Sequence, residues 1–392
     1  MPSVKIISAA KTILEKSVGE LASIFETVAD TDYLALFIEN VLPDPLAASV
    51  LNSVNLSVNK AASILNSSYL SADKAALILN STNISANRAA SILDNPNISP
   101  DKVASICDSP NITSSRLKSI LDTGIITYPD KLAAILDGDS LTADDAASHI
   151  ESGIYGVSLY ASAFNSTYLS ADKVASILNS TNISADKAAS IINSANMGVD
   201  RAATILSSTS ISASKVGDIL ASLNLALSKL RNIVSSTSWT RTTVFMELML
   251  DDPVAAGRAT YNETAAKFSY TYDSANLRGH ITFPAATLLE PGAYAQLNFG
   301  TVSLNAGDIV VFRRYHNRDP SGGGWWYVRL LVSSTEIFSR DVGPDSKQEY
   351  GHKKKITSAL SGDLIWRLIN GSSSVLSNYS MDEALCVLLV IR

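Results

Sequence analysis

A fourteen-residue pattern repeats through most of the first 235 residues of the chain. The segments 71–79 (SADKAALIL), 85–93 (SANRAASIL) and 184–192 (SADKAASII) are near copies of one another. Self-similarity at a short, fixed period predicts a repeat architecture in which each unit is stabilised by its neighbours. One isoleucine marks the period, at Ile64, Ile78, Ile92, Ile106 and Ile120, and again after a looser stretch at Ile177, Ile191, Ile205, Ile219 and Ile233.

Weaker copies extend this pattern beyond the regular segments. They occupy 17–25, 29–37 and 43–51 near the N-terminus, and 128–136, 142–150 and 156–164 in the middle, where small insertions interrupt the period. With these copies, about sixteen units fill residues 1–235. We therefore predict that residues 1–235 form one α-solenoid domain.

Each unit predicts one short helix that carries its own capping residue. Ser71 stands where an N-cap side chain accepts a hydrogen bond from a free amide of the first turn, and Asp73 follows in that turn, where a negative charge is favourable. The polar run 80–83 then ends the helix. The apolar stripe has the spacing i, i+3, i+4, i+7 of one helix face, at Ala72, Ala75, Ala76 and Leu79.

Helices of this length predict how the units must assemble. A helix of about nine residues is not stable alone in water, so each unit has to pack against other units. Inner and outer helices of a hairpin repeat would alternate with a period of twenty-eight residues, and the sequence shows no such alternation. We therefore expect one repeated screw operation to relate successive units, which gives an elongated stalk.

From about Trp239 the character of the sequence changes. Alanine becomes rare, and aromatic and β-branched residues occur in short alternating runs separated by turn signals such as 290–292, 305–307 and 319–324. This pattern predicts an antiparallel β-sandwich, jelly-roll-like, over residues 236–392, and hence an α+β two-domain chain. The predicted strands are 242–250, 268–273, 277–283, 295–304, 308–315, 325–333, 335–340, 363–370 and 384–391.

Composition limits where the protein can act. A formal charge of −6 and a pI near 5.3 argue against a nucleic-acid partner. Only 17% of the residues are charged, and Ser, Thr and Asn replace them, which favours a virion surface or an extracellular location over the alternative, the cytoplasm. The N-terminus lacks the apolar core of a signal peptide, and no stretch is long enough to span a membrane. Cys107 and Cys386 fall in different predicted domains, so buried thiols are expected rather than a disulfide.

One cluster of aromatic and basic residues flanks the glycine-rich turn at 319–324. If the two strands beside that turn pair, rings and guanidinium groups would share one end of a sheet, where they could bind a sugar ring and its carboxylate. The alternative is that the rings belong to the sandwich core and the arginines to a solvated edge. The candidate ligand-binding residues are Arg313, Arg314, Tyr315, His316, Trp325, Trp326, Tyr327 and Arg329.

Asparagine sequons are frequent, and most of them fall in the segment between two helices. Modification there would place glycans in a periodic row. The alternative is that Asn, Ser and Thr are good residues for ending and starting helices. The candidates for glycosylation are Asn55, Asn66, Asn80, Asn83, Asn97, Asn111, Asn165, Asn179, Asn182, Asn262, Asn370 and Asn378.

No catalytic or metal-binding pattern is present. His149 replaces the isoleucine of its repeat and is expected to be half-buried, and His280, His316 and His352 lack the spacing of metal ligands. The run 353–355 of three lysines is expected to be a solvated turn. No nucleophile–base order, phosphate-binding loop or pair of carboxylates stands out. We therefore predict a protein that is not an enzyme and needs no cofactor or metal.

The regular, charge-poor register LNSTNISADKAASI at 178–191 resembles that of surface proteins of viruses that infect thermophilic archaea. A β-sandwich on a stalk also resembles viral spike, turret and fibre proteins. The resemblance implies a homo-oligomeric virion component with other virion or envelope proteins and a host glycan or surface protein as partners. Two alternatives stay open: an intracellular α-solenoid adaptor that binds a partner protein, and a carbohydrate-binding module or carbohydrate-active enzyme.

Overall fold

The computed structural model describes residues 15–264, 268–283, 292–318, 326–342, 348–370 and 381–392. Within these residues, sixteen helices precede eleven strands, which confirms the predicted α+β order. The helices are α1 Val18–Thr27, α2 Thr31–Asn40, α3 Asp44–Asn52, α4 Val58–Asn66, α5 Ala72–Asn80, α6 Ala86–Leu93, α7 Pro100–Cys107, α8 Ser114–Leu121, α9 Pro129–Asp137, α10 Ala143–Ser152, α11 Val157–Asn165, α12 Ala171–Asn179, α13 Ala185–Asn193, α14 Val199–Ser207, α15 Ala213–Ala221 and α16 Leu227–Ser235.

The strands form two antiparallel sheets. Sheet A has the order β3-β4-β11-β6-β9, with β1 also paired to β11, and sheet B has the order β2-β5-β10-β7-β8. The strands are β1 Thr243–Glu247, β2 Thr260–Glu263, β3 Ser269–Asp273, β4 Arg278–Phe283, β5 Tyr294–Leu304, β6 Ile309–Arg318, β7 Trp326–Val332, β8 Thr335–Val342, β9 Gln348–Lys355, β10 Leu360–Asn370 and β11 Met381–Ile391.

Two strands were not predicted from the sequence. β2 is short, and β9 contains the lysines 353–355 that were expected in a turn. That expectation is wrong because Lys353 is paired: its ammonium lies 2.6 Å from a carboxylate oxygen of Asp218 in α15. A run of lysines therefore belongs to a strand when a helix beside it supplies acceptors.

The repeat helices begin and end where the capping pattern places them. The Ser71 hydroxyl accepts a hydrogen bond from the amide of Lys74 at 3.1 Å, and the same contact recurs at the start of most helices. Loss of one such cap costs about 1 kcal/mol, so a nine-residue helix depends on it. Of the predicted apolar stripe, Ala75, Ala76 and Leu79 are buried, whereas Ala72 is half-buried and Ile78 is buried in addition.

The helices pack on their next-but-one neighbours, as α4 does on α6 and α5 on α7. The structural period is therefore two units, although the sequence period is one. Contacts of the same kind recur in odd-numbered and even-numbered helices alike, which explains why the sequence shows no alternation at twenty-eight residues.

A basic side chain in the first turn of most helices binds backbone carbonyl groups of an earlier unit. In α6, the Arg88 guanidinium donates to the carbonyl oxygens of Leu51, Ser53 and Leu56. We call such a set, at the end of one helix and in the loop after it, a carbonyl cradle. The Ser53 carbonyl also accepts from the amide of Leu56. A short helix leaves its last carbonyls, such as that of Leu51, without a partner inside the helix, so the cation satisfies groups that are otherwise costly to bury. The same contact is made by Lys60, Lys74, Lys102, Arg116, Lys131, Lys173 and Arg201.

Two further side-chain contacts join the repeats at fixed spacings. The last residue of a helix accepts from the backbone amide of an N-cap residue 33 positions later, as Asn66 does from Ser99 at 2.9 Å. A first-turn aspartate accepts from a loop serine 36 positions later, as Asp73 does from Ser109 at 2.6 Å. These contacts use backbone amides, hydroxyl groups and carboxylates, and they join the repeats in addition to the buried apolar core.

The described chain divides into two compact units, residues 1–187 with 194–201, and residues 188–193 with 202–392. The change from helices to strands falls at the predicted position near residue 235. The last repeats, however, belong to the same compact unit as the two sheets.

Within this second unit, sheet A is covered on both faces. One face meets sheet B across a core that includes Phe312 and Trp366, and α15 packs against β6 and β9 on the other face. Gly217 permits this approach, since a Cβ there would lie 2.6 Å from Ile309 and 2.9 Å from Lys353. Burial from both sides also explains why residues 384–391 of β11 are all buried and apolar.

The β-domain binds the last repeats through their own carbonyl cradles. Arg313 of β6 donates to the carbonyl oxygens of Leu220, Ser222 and Leu225, at 3.4, 2.9 and 3.0 Å. These three positions correspond to Leu51, Ser53 and Leu56, which Arg88 binds in the repeats. Arg313 therefore binds the carbonyl groups at the end of α15 in the way that a first-turn cation binds them elsewhere in the repeats.

Two more arginines connect helices to the strands. Arg241 fills the preceding cradle, formed by Leu206, Ser208 and Ile211, at 2.8–3.0 Å. In α16, Arg231 stands where most other repeats carry a small residue, and it donates to carbonyls that include that of Cys386. A small residue is not needed at this position of α16, because the Arg231 side chain extends towards the β-domain and binds backbone carbonyl groups there.

We predict that Arg116→Met lowers the free energy of unfolding by about 1–3 kcal/mol, since the carbonyls of Leu79 and Ile84 lose donors at 2.5 and 2.6 Å. Arg116→Lys should recover part of the loss. Urea unfolding followed by helix circular dichroism measures both.

The matched control for this change is Lys118→Met in the same helix. Lys118 makes an exposed i,i+4 pair with Asp122, which is worth about 0.5 kcal/mol or less. Equal effects of the two methionine variants would contradict a stabilising role of the cradle.

Candidate functional site

The structure separates the cluster that was predicted around the glycine-rich turn. β6 lies in sheet A between β11 and β9, whereas β7 lies in sheet B between β10 and β8. The expected pairing of these two strands is therefore wrong: the segment between them connects the two sheets. Trp325 lies outside the described residues, as do the side chains of His316 and Trp326.

The residues from β6 are occupied inside the protein. Arg313 is 1% exposed in its carbonyl cradle and also lies 2.6 Å from Glu349. Arg314 is 1% exposed, with its guanidinium 4.5 Å from the centre of the Tyr350 ring. The Tyr315 ring has the Arg278 guanidinium over it at 4.3 Å. Arg313 and Arg314 therefore do not offer a surface to a ligand, because both side chains are buried beside internal acceptors and rings.

The two described residues from β7 lie on the outer face of sheet B. Leu330 and Trp366 are directly opposed across β7 and β10 and belong to the sandwich core. Since side chains alternate along a strand, Arg329 and Arg367, the next opposed pair, point away from that core. Gln296 of β5 is opposite Arg367 on its other side. Tyr327 and Tyr294 both pair with Ile369, in the adjacent row.

This set, which we call the arginine row, consists of Arg329 and Arg367 with Tyr294, Gln296 and Tyr327. The Arg367 guanidinium lies 4.2 Å from the centre of the Tyr294 ring, and its Nε donates to Gln296 at 2.8 Å. The Arg329 guanidinium lies 5.6 Å from the Tyr327 ring centre, and its Nε is 3.2 Å from Glu336. The Arg367 guanidinium is thus held by a hydrogen bond from Nε and by a ring, whereas Arg329 lies beside a ring and a carboxylate and its Nε has no hydrogen-bond partner among the described residues.

Electrostatics mark this row as unusual. Burial lowers the pKa of Arg367, the Tyr294 hydroxyl acts in the opposite direction, and the charge of Arg329 lowers it further. Like charges directly opposite each other in a sheet are destabilising. Such a pair is therefore suited to hold an anion between or above its guanidinium groups.

The sequence analysis found two of the five residues of this row. Tyr327 and Arg329 were candidates because they adjoin the glycine-rich turn, whereas Tyr294, Gln296 and Arg367 lie far from it in the chain. The signal that could have found Arg367 is the alternation in 364–370, where polar Arg367 interrupts an apolar strand. Only the strand register shows that it meets Arg329.

The predicted glycosylation sites differ in accessibility. The exposed ones are Asn55, Asn66, Asn83, Asn97, Asn165, Asn179, Asn182 and Asn262, while Asn80 and Asn111 are half-buried. Asn370 is 1% exposed and therefore cannot carry a glycan in the folded protein, and Asn378 lies outside the described residues.

Several exposed asparagines also have a structural use, which supports the alternative explanation of the motif. Asn83 donates to the carbonyl of Pro45 at 2.9 Å, and Asn165 accepts from the amide of Gly198 at 3.0 Å. Glycosylation of Asn83 is compatible with its hydrogen bond to Pro45, because a glycosylated amide nitrogen retains one N–H.

His149 lies at the centre of a buried cluster in the irregular middle repeats. It is fully buried rather than half-buried, its Nδ1 is 2.8 Å from Asp122, and its ring meets those of Tyr155 and Tyr160 edge-on. Its Nε2 has no hydrogen-bond partner among the described residues. A neutral ring that donates from Nδ1 to Asp122 fits this environment. Burial lowers the pKa of His149 more than the Asp122 contact raises it.

Among the described residues, no group of three metal-ligating side chains comes together, and no helix has the length and apolar character needed to cross a membrane. Cys107 and Cys386 are both buried and free, as predicted. Burial raises the pKa of the Cys107 thiol, which leaves it protonated and unreactive.

We predict that His149 makes the stability of the repeats depend on pH. Its pKa in the folded protein is below the unfolded value of about 6.5, so the unfolded chain takes up the proton first as the pH falls. The contribution is therefore complete above about pH 6.5 and is lost below it. His149→Ile restores the residue of the other repeats and should make the free energy of unfolding less dependent on pH between 7.5 and 5.

The measurement is urea unfolding of both proteins at each pH, with helix circular dichroism as the signal. The variant keeps Asp145 and Lys118 but removes the partner of Asp122, whose pKa the His149 contact helps to lower, so the difference between the two proteins reports the His149–Asp122 pair. Identical pH profiles would show that His149 is not the responsible group.

No protein-family model and no curated protein matches the chain. Among solved structures, it is similar to a carbohydrate-binding module with specific mannan recognition, at 8% identity, 38% of this chain, 98% of that chain and a TM-score of 0.25. It is also similar to the C-terminal carbohydrate-binding module of a marine laminarinase from Zobellia galactanivorans, at 9% identity, 34% of this chain, 99% of that chain and a TM-score of 0.21. At TM-scores this low, neither likeness bears on what this chain binds.

Proposed function

We propose that the protein is a non-enzymatic structural component of a virion or cell surface, in which the helical repeats support a β-sandwich head used for host attachment or particle assembly. A protein with this role needs a joint that holds the head firmly and a surface that tolerates the outside medium. The contacts of the described residues supply physical support for both.

The observation that carries the proposal is the attachment of the sheets to the last repeats. Arg313 closes the carbonyl cradle of Leu220, Ser222 and Leu225, and it is itself 1% exposed. Gly351 of β9 packs so closely that a Cβ would lie 1.6 Å from the carbonyl oxygen of Ala221. Such a joint suits the presentation of a binding head, whereas a flexible linker would suit independent domains.

The chemistry that holds the repeats together also favours an exposed protein. Each cation binds neutral carbonyl groups, and the links at 33 residues use many neutral amides such as Asn66 and Asn165. Contacts of this kind depend less on salt than surface ion pairs, which are screened. The stack therefore suits media whose ionic strength and acidity vary.

The chief alternative is an intracellular adaptor whose repeats bind a partner protein. An adaptor has no particular use for the exposed row of loop asparagines, which includes Asn83, Asn97 and Asn182. The same row gives a surface protein regularly spaced attachment points for glycans. The two functions therefore predict different locations and different masses for the native protein.

The experiment is immunogold electron microscopy of intact particles and cells from the source, with an antibody raised against the purified chain. We expect gold on surfaces that have not been permeabilised. Label that is seen only after permeabilisation would support the adaptor and contradict the proposal.

Mass mapping of the native protein supplies a second measurement of the same proposal. We expect glycan masses only at exposed sequons such as Asn83 and Asn182, and none at the buried Asn370. A glycan on Asn370 would contradict the packing of β10 itself.

A further inference from the structure

The arginine row contains more positive charge than its described neighbours neutralise. Arg329 and Arg367 are directly opposed on β7 and β10, so their Cβ atoms are about 4.5–5.5 Å apart. The nearest described carboxylate is Glu336, at 3.2 Å from Arg329, while the hydrogen-bond partner of Arg367 is the neutral amide of Gln296. Two guanidinium groups thus share one described carboxylate.

The guanidinium groups are also positioned in advance. Tyr294 and the Gln296 hydrogen bond restrict Arg367 before any ligand arrives, and the Tyr327 ring and the charge of Glu336 lie beside Arg329. The terminal nitrogens of both arginines have no hydrogen-bond partner among the described residues. With 34% of the Arg329 side chain exposed, a ligand can approach this guanidinium from solvent. An arginine held in this way loses less entropy when it binds a carboxylate.

The rest of the row is neutral and polar. Gln296 pairs with Arg367 on one side and with Asn262 of β2 on the other, and Ser339 of β8 pairs with Arg329. Amides, hydroxyls and phenols are suitable partners for sugar hydroxyl groups, whereas an acidic peptide would be better served by apolar pockets or a free strand edge. The backbone register places Asp341 opposite Tyr327, one row away from the arginine pair.

We infer that the outer face of sheet B binds an acidic sugar, with the terminal nitrogens of Arg329 and Arg367 holding its carboxylate and the neutral row contacting its hydroxyl groups. This inference rests on the proposed function of the head as a binding module and names its ligand class. Because the whole chain has a net charge of −6, attraction at long range is weak, and the affinity depends on the local pair.

The test is binding of the full chain to three polymers by affinity electrophoresis and calorimetry: polygalacturonate as the acidic sugar, mannan as the neutral sugar and polyglutamate as the acidic peptide. We expect binding to polygalacturonate that weakens as salt rises, and none to mannan. Polyglutamate bound as tightly as polygalacturonate would mean that an acidic peptide is the ligand, and binding to mannan alone would also overturn the inference.

Variants assign any binding to the row. Arg367→Gln and Arg329→Gln should each weaken binding to polygalacturonate about tenfold or more, and Arg367→Lys should weaken it less because the charge remains while the planar fork is lost. The matched control is Lys354→Gln, which removes an exposed cation from β9 in sheet A and should leave the affinity unchanged. An effect of Lys354→Gln equal to that of the row variants would show non-specific attraction and would overturn the assignment.

Melting temperatures show that the variants are folded. Without ligand, Arg367→Gln should melt at the same temperature as the wild type or higher, since one of two facing charges is gone. Polygalacturonate should raise the melting temperatures of the wild type and of Lys354→Gln more than those of Arg367→Gln and Arg329→Gln. No polygalacturonate binding by the folded wild type would end this inference, while the location found by immunogold would still decide the proposed function.

Discussion

The rest of the structure depends on a cation that satisfies the carbonyl groups left free where a short helix ends. Helices of eight to ten residues leave a large share of their backbone groups without partners inside the helix. Each cradle is closed by a side chain about 32 residues later, as that of Leu79 and Ile84 is by Arg116. The contact therefore satisfies one unit and fixes the position of another. Burial among these carbonyl groups lowers the pKa of Arg116. The guanidinium still stays charged, because the pKa of arginine is far above neutral pH.

At the last repeats, the carbonyl groups are also bound by cationic side chains, but these come from outside the helices. In the described part of the chain, no helix after α16 closes the cradles of α14 and α15, and Arg241 and Arg313 take that place. Two exceptions to the repeat mark the joint: Gly217, where the sheet comes too close for a Cβ, and Arg231, which reaches carbonyls of the strands. With sheet A covered by these helices, sheet B is the sheet whose outer face carries the arginine row.

Much of this fold could be predicted from the sequence, because the repeat encodes local structure. Serine caps, the alanine stripe and the period gave the helices, and alternation gave nine of the described strands. Which units touch could not be predicted, because a fourteen-residue period is equally compatible with contacts one or two units apart. The candidate site was found only in part for a related reason: Arg313 and Arg329 are close in sequence, but strand pairing puts them in different sheets, and Arg329 meets Arg367 only through a register that no local pattern encodes.

Amide hydrogen exchange of the full chain with Arg313→Met tests the central claim most directly, because this one side chain closes a repeat cradle from the β-domain. If the cradle holds the joint, exchange should become faster in residues 220–239 and in β6 and β9, while residues 58–121 exchange at the wild-type rate. Unchanged protection in residues 220–239 would mean that the cation is incidental there and that apolar packing alone joins the sheets to the repeats.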